Sequence, residues 1–238
     1  MSRPTGGSFL EARRDLSLPS GDGDEGTSSG LTEHLEALAG SLRQDGRTRN
    51  EDAFLVRKGP PLVVALADGA GNAEQAARHA LRLLERSLDA ASEEDLRSFP
   101  NWSGWFRAID AAMLGGAQTT LIALAVGEGR VLGAAAGDSR VYLWTRQGEL
   151  RILNEGAAKF RVGSGSVSPF PIHVPFERGD TLLLLSDGAW TPLSLSRLQG
   201  IAARMALAPL AELPEAILRE ASRSGRADDM TVVAVRLR

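Results

Sequence analysis

Three apolar runs in this chain end in an aspartate: LVVALAD reaches Asp68, VLGAAAGD reaches Asp138 and TLLLLSD reaches Asp187. Two others begin with acids, Glu51 and Asp52 ahead of AFLV, and Asp228 and Asp229 ahead of MTVVAV. In an antiparallel sheet the start of one strand lies beside the end of its neighbour, so Glu51, Asp52, Asp68, Asp138, Asp187 and Asp228 can gather at one edge. Carboxylates crowded in this way repel one another unless protons or cations neutralise them. Oxygen ligands with no histidine or cysteine nearby select Mg²⁺, Mn²⁺ or Ca²⁺ over Zn²⁺ or Cu²⁺. Two such ions, roughly 3.5–4 Å apart, can bridge a water, lower its pKa towards neutrality and clamp a phosphoryl group for in-line attack. That is phosphate hydrolysis without a protein nucleophile. Taken singly, each Asp-Gly or Asp-Ser pair after a strand is more simply a turn.

The elements that would position these acids are visible as short apolar segments punctuated by Gly, Asp and Pro. Strands are expected at Ala53–Arg57, Leu62–Ala67, Thr119–Val126, Val131–Ala136, Arg140–Thr145, Thr181–Leu185 and Met230–Leu237, with tight connections at Gly127–Arg130 and Arg146–Glu149 making a meander. Apolar stripes predict helices over Ala73–Ala91, Trp102–Leu114, Leu195–Ala206 and Leu213–Ser222. Leu31–Leu42 fits a helical face through Leu31, Leu35, Leu38 and Leu42, while the turn after it would equally suit a strand. Strands, then helices, then more strands argue for an α+β fold with a largely antiparallel sheet.

At 238 residues and 43% hydrophobic side chains, one core suffices. Residues 1–30, rich in Gly, Ser, Asp and Pro, read as a disordered tail ahead of one domain over 31–238. A net charge of −3 with scattered basic residues excludes a nucleic-acid or anionic-membrane footprint. The chain has no cysteine, no apolar run of membrane-span length and no signal-peptide core, so a cytoplasmic protein is expected. His34, His79 and His173 sit in unrelated settings without metal or triad spacing, and LGGAQTT and RVGSGS lack the lysine of a phosphate-binding loop.

Read in order, GRTRNEDAFLV, ALADGAGNAEQAAR, GAQTTLIALAV, GAAAGDSRVYLW, ERGDTLLLLSDGAW and RADDMTVVAV resemble the successive motifs of the type 2C (PPM family) metal-dependent serine/threonine phosphatases, in a minimal, bacterial-like form. The resemblance covers residues 33–238. It implies a four-layer α-β-β-α sandwich of two mainly antiparallel sheets flanked by helices. It also implies hydrolysis of phosphoserine and phosphothreonine by attack of a metal-bridging hydroxide, on a protein substrate of a Ser/Thr kinase, by a signalling enzyme that acts as a monomer. Arg47 then matches the arginine that binds the substrate phosphate. Asp68 matches the aspartate bridging two Mn²⁺ or Mg²⁺ ions, and Gly69 lends its carbonyl to one of them. Glu51 matches the acid ordering water on that ion, with Asp52 beside it. Asp187 and Asp228 match the remaining ligands of the first ion, and Asp138 with Asp187 would hold a third, weaker one.

The chain also departs from the family pattern. Ala70 stands where some members carry a histidine proposed as general acid, and Asn72 replaces a frequent glycine. Asp229 stands where asparagine is usual, leaving two adjacent acids for one metal-facing position; register favours Asp228. Between Leu153 and Gly179 the chain is short, so the flap over the cleft is expected to be reduced and the cleft more open; Gly163 and Gly165 are expected to serve through their backbone, with Gly163–Gly165 a candidate lining of the cleft. Trp102, Trp105, Trp144 and Trp190 are expected to pack, with peptide docking a second reading for Trp190, just past Asp187. Two other readings share these residues: a non-catalytic module that binds a phosphoprotein, and a phosphatase of small phosphate esters.

Overall fold

The computed structural model describes residues 35–47, 49–70, 75–127, 129–157, 159–225 and 227–238. The expected tail over 1–30, His34 and the Asn72 position lie outside the described residues. Among the described residues, ten strands form two five-stranded sheets in which every pairing is antiparallel. One sheet has the order β2(Asp52–Arg57), β3(Leu62–Asp68), β4(Leu121–Gly127), β5(Arg130–Ala136), β8(Phe170–Pro175). The other has the order β1(Leu35–Leu42), β10(Met230–Leu237), β9(Thr181–Leu185), β6(Arg140–Trp144), β7(Leu150–Ile152).

The central strands are apolar at every position because both of their faces are covered. In β3, Leu62, Val64 and Leu66 meet Leu182, Leu184, Val233 and Val235 of the opposite sheet. The alternate residues Val63, Ala65 and Ala67 pack under α1(Ala76–Ala90) and α2(Phe99–Ala112). On the far side, Leu183, Leu185, Val232 and Ala234 pack under α4(Leu195–Met205) and α5(Glu212–Ala221). Small side chains at 65, 67, 123 and 134 let the first helix pair approach its sheet closely. The result is the four-layer sandwich that the resemblance implies. Trp102 is fully buried and meets Trp105 edge-on at 5.0 Å, so both pack as expected.

Leu35–Leu42 resolves as a strand, paired along its length with β10. The expected meander is corrected. β4 and β5 form a hairpin in one sheet, β6 and β7 form another in the second sheet, and the chain crosses between sheets at Gly137–Ser139. Gly137 makes this crossing at φ +90°, where an added Cβ would also meet Thr120 Cγ2 at 2.8 Å. Strands β7 and β8 escaped the sequence reading because one is only three residues long and the other carries two prolines. Among the described residues, no helix is long and apolar enough to cross a membrane.

Candidate active site

One end of the sandwich collects the acids, and the strand registers explain how. Asp52 opens β2 directly opposite Asp68, which closes β3. In the other sheet, the start of β10 lies beside the end of β9, with Val232 opposite Leu185. Arg140, the first residue of β6, also pairs with Leu185, so the crossing at Asp138 ends at the same edge. Asp187 follows within two residues, opening the short helix α3(Asp187–Trp190). Asp68 and Asp187 act on each other electrostatically, which couples the acids of the two sheets at the cluster.

The electrostatics show how costly this collection is. Burial raises Asp68 far above the carboxylate range, and the charges of Asp52, Asp187 and Asp228 push it further. Asp52 is also raised by burial, with Asp229 and Asp187 adding to the shift, against hydrogen bonds from Thr231 and Ser186. The Ser186 hydroxyl donates to Asp52 Oδ2 at 2.8 Å while accepting the Thr231 N–H. Asp187 is raised by burial and by its neighbours Asp228 and Asp138. Asp52 Oδ1 and Asp68 Oδ2 are buried without a hydrogen-bond partner. Among the described residues no three acids close into a metal cage, so the carboxylates are coupled without being closed around one point.

Gly69 forms an isolated bridge with Thr119, but its two bonds run from Thr120 N to Asp68 O and from Ala70 N to Gln118 O. The amide and carbonyl of Gly69 itself are therefore directed away from Thr119. Arg47 Nη1 and Glu51 Oε2 form an ion pair at 2.6 Å.

The adjacent acids Asp228 and Asp229 divide the work. Asp228 is exposed and acts on both Asp68 and Asp187. Asp229 is buried, and its two oxygens accept the backbone N–H groups of Gln44 at 2.6 Å and Glu51 at 2.7 Å, with Arg47 Nη1 3.7 Å away. Asp229 thus pins the loop that carries Arg47 and Glu51, a role the sequence reading missed. Its signal was the substitution of a carboxylate for an amide, which offers an acceptor to each of two amides. Gly188 makes room for this arrangement, because an added Cβ would sit 2.1 Å from Asp229 O. Gly188→Ala is expected to displace the 228–229 turn, lowering stability by about 1–3 kcal/mol in urea unfolding.

Residues 58–238 match the family profile of stage II sporulation protein E (SpoIIE). The chain belongs to the SpoIIE family. Its fold is that of the PPM phosphatases. It resembles the catalytic domain of the serine/threonine phosphatase PstP, solved in complex with two manganese ions, at 28% identity and a TM-score of 0.69, over 85% of this chain and 98% of that one. The Mycobacterium tuberculosis phosphatase PstP/Ppp is 25% identical, with the same TM-score of 0.69 and the same coverage of 85% and 98%. The S. agalactiae serine/threonine phosphatase shares the fold at 19% identity and a TM-score of 0.73, over 86% and 100% of the two chains. No curated protein sequence matches the chain.

Three contacts surround this SpoIIE-family site. Asp138 is ion-paired with Arg161 at 3.1 Å, so its carboxylate is engaged by a side chain. The short 153–179 segment is folded onto α2, where Asp110 accepts the N–H groups of Gly163 and Gly165, so these glycines serve an anchor. Trp190 donates its indole N–H to the Asp138 carbonyl, and its ring lies 3.9 Å beneath the Arg140 guanidinium, which makes it a brace for the crossing between sheets.

Proposed function

We propose that this chain is a phosphoprotein phosphatase that hydrolyses phosphoserine and phosphothreonine with two Mn²⁺ or Mg²⁺ ions. The observation that carries the reading is the pair of partnerless buried oxygens, Asp52 Oδ1 and Asp68 Oδ2, inside a group of carboxylates that burial and mutual repulsion destabilise. Hard oxygen donors that cannot all ionise without a counter-charge fit a divalent cation of the Mg²⁺ and Mn²⁺ class. Asp68, Asp187 and Asp228, with the Gly69 carbonyl, would hold the ions, and Glu51 and Asp52 flank them. Bound there, the ions supply Lewis acidity to the phosphoryl oxygens and lower the pKa of water near phosphorus.

The chain's own residues do the rest. Arg47 places a guanidinium beside the acids, a planar cation suited to orient a phosphate dianion and to stabilise the charge it gains during attack. Glu51 and Asp229 hold that guanidinium on its loop. Ser186 fixes Asp52 Oδ2, directing Oδ1 at the cluster. With Ala70 where some relatives carry a histidine, the leaving alkoxide takes its proton from solvent.

The likeness to PstP, a serine/threonine phosphatase, supports a protein substrate. In saturating manganese, a phosphothreonine peptide is expected to be hydrolysed with a kcat/KM at least about tenfold above that of p-nitrophenyl phosphate, a difference of about 1.4 kcal/mol in transition-state binding. A reversed preference would make the chain a phosphatase of small esters.

A further inference from the structure

The Asp138 carboxylate is answered by a protein cation, Arg161, as Glu51 is by Arg47. Arg161 Nη2 donates to Asp138 Oδ1 at 3.2 Å and to Oδ2 at 3.1 Å, so a single nitrogen spans both oxygens. The other contacts at this corner come from outside the carboxylate: Trp190 Nε1 holds the Asp138 carbonyl, and Ser139 Oγ meets Thr120 Oγ1 at 2.8 Å. Asp138 still acts on Asp187, so its charge is part of the cluster.

Arg161 does not reach this position by chance of a loose side chain. Val162 bridges Thr119 through both of its backbone groups, at 2.9 and 3.0 Å, and Thr119 in turn bridges Gly69. The next residues are clamped by Asp110, a buried carboxylate on α2, which accepts from Gly163 at 2.7 Å, Gly165 at 3.0 Å and Val167 at 3.3 Å. A backbone bridge on one side and a three-amide clamp on the other fix the segment that delivers the guanidinium. Three hydrogen bonds to a buried carboxylate are costly to break, so the placement is rigid.

We propose that Arg161 is a built-in cation that takes the place of the third divalent ion at Asp138, making the cluster a two-ion site. A guanidinium nitrogen bonded to both carboxylate oxygens occupies the position between them from which a chelating divalent ion would bind, and it cannot dissociate or lose its charge at accessible pH. Arg161 is in this sense a positioning residue: it neutralises Asp138 without competing for the oxygens of Asp68. The chain therefore trades an exchangeable charge for a permanent one, and its manganese dependence reflects two sites only. This rests on the reading that the cluster binds divalent ions.

The test counts ions in the full chain by equilibrium dialysis against Mn²⁺ with elemental analysis, which does not depend on turnover. Wild type and Arg161→Lys are expected to hold two ions per chain. Arg161→Gln is expected to gain a third, bound about 10- to 100-fold more tightly than any third ion in wild type, as the loss of a charge-assisted hydrogen bond would predict. Adding Asp138→Asn to Arg161→Gln should return the count to two. Circular dichroism before dialysis confirms that each variant is folded, which the partly exposed Arg161 side chain should allow. A third ion of equal affinity in wild type and Arg161→Gln, or two ions in both, overturns this proposal and leaves the phosphatase reading intact. No bound ion in wild type overturns both.

Discussion

Asp68→Asn is expected to abolish manganese-dependent hydrolysis while making the metal-free protein more stable. The loss of activity should be at least about 10³-fold, at or beyond the cost of removing one preorganised charge-stabilising group. The gain in stability follows from linkage. Asp68 ordinarily titrates near 3.8 and is pushed up to about 10 in the folded chain, and Asp52 is pushed up to about 7. Between those values the folded state holds protons that the unfolded state has released, so stability falls as pH rises across the window. An amide at position 68 carries no charge and removes that penalty. At about 1.4 kcal/mol for each tenfold change in proton affinity, even a fraction of it amounts to a few kcal/mol, and each is worth about 2–4 °C in Tm for a chain of this size. Calorimetry in chelator should show the mutant melting above wild type, with the gap widening from about pH 5 to about pH 8. A mutant less stable than wild type at both pH values would mean that Asp68 is not under electrostatic strain.

Asp229→Ala is expected to damage both fold and function. Its buried carboxylate is the acceptor for the backbone N–H groups of Gln44 and Glu51, and truncation would strand both donors. At about 1–3 kcal/mol for each unsatisfied group, less the relief of repulsion on Asp52, the net cost should be about 2–4 kcal/mol in urea unfolding. The loop carrying Arg47 and Glu51 would then lose its anchor, raising KM for a phosphopeptide by about tenfold or more. Asp229→Asn, which keeps one acceptor, should fall between. Manganese affinity separates this role from that of a ligand: Asp229→Ala should change it little, whereas Asp228→Ala should weaken it by about 10- to 100-fold. The opposite order would exchange the two acids.

Much of the architecture was legible because the central strands carry unbroken apolar runs and end in acids. LVVALAD, TLLLLSD and MTVVAV are buried on both faces, and their bounds differ from expectation by a residue or less. The convergence of the acids followed from antiparallel pairing alone, and Asp52 does face Asp68. What sequence could not supply was contact at long separation. Arg161 is 23 positions from Asp138, and Asp110 is 53 from Gly163, and no local pattern announces either pair. The crossing at Gly137 was hidden for a related reason, since a glycine turn between two strands looks the same whether they share a sheet or not. Leu35–Leu42 stayed ambiguous because Leu35, Leu38 and Leu42 satisfy a helical stripe, and only pairing with β10 decides for a strand.

The central claim is that the acids at this end of the sandwich run phosphoester hydrolysis through divalent ions. Hydrolysis of a phosphothreonine peptide by wild type and Asp187→Asn, with and without added Mn²⁺, tests it most directly. Turnover that requires manganese and collapses in the mutant is the predicted result. Turnover that persists without metal or survives the mutation, or no turnover despite confirmed manganese binding, would contradict it.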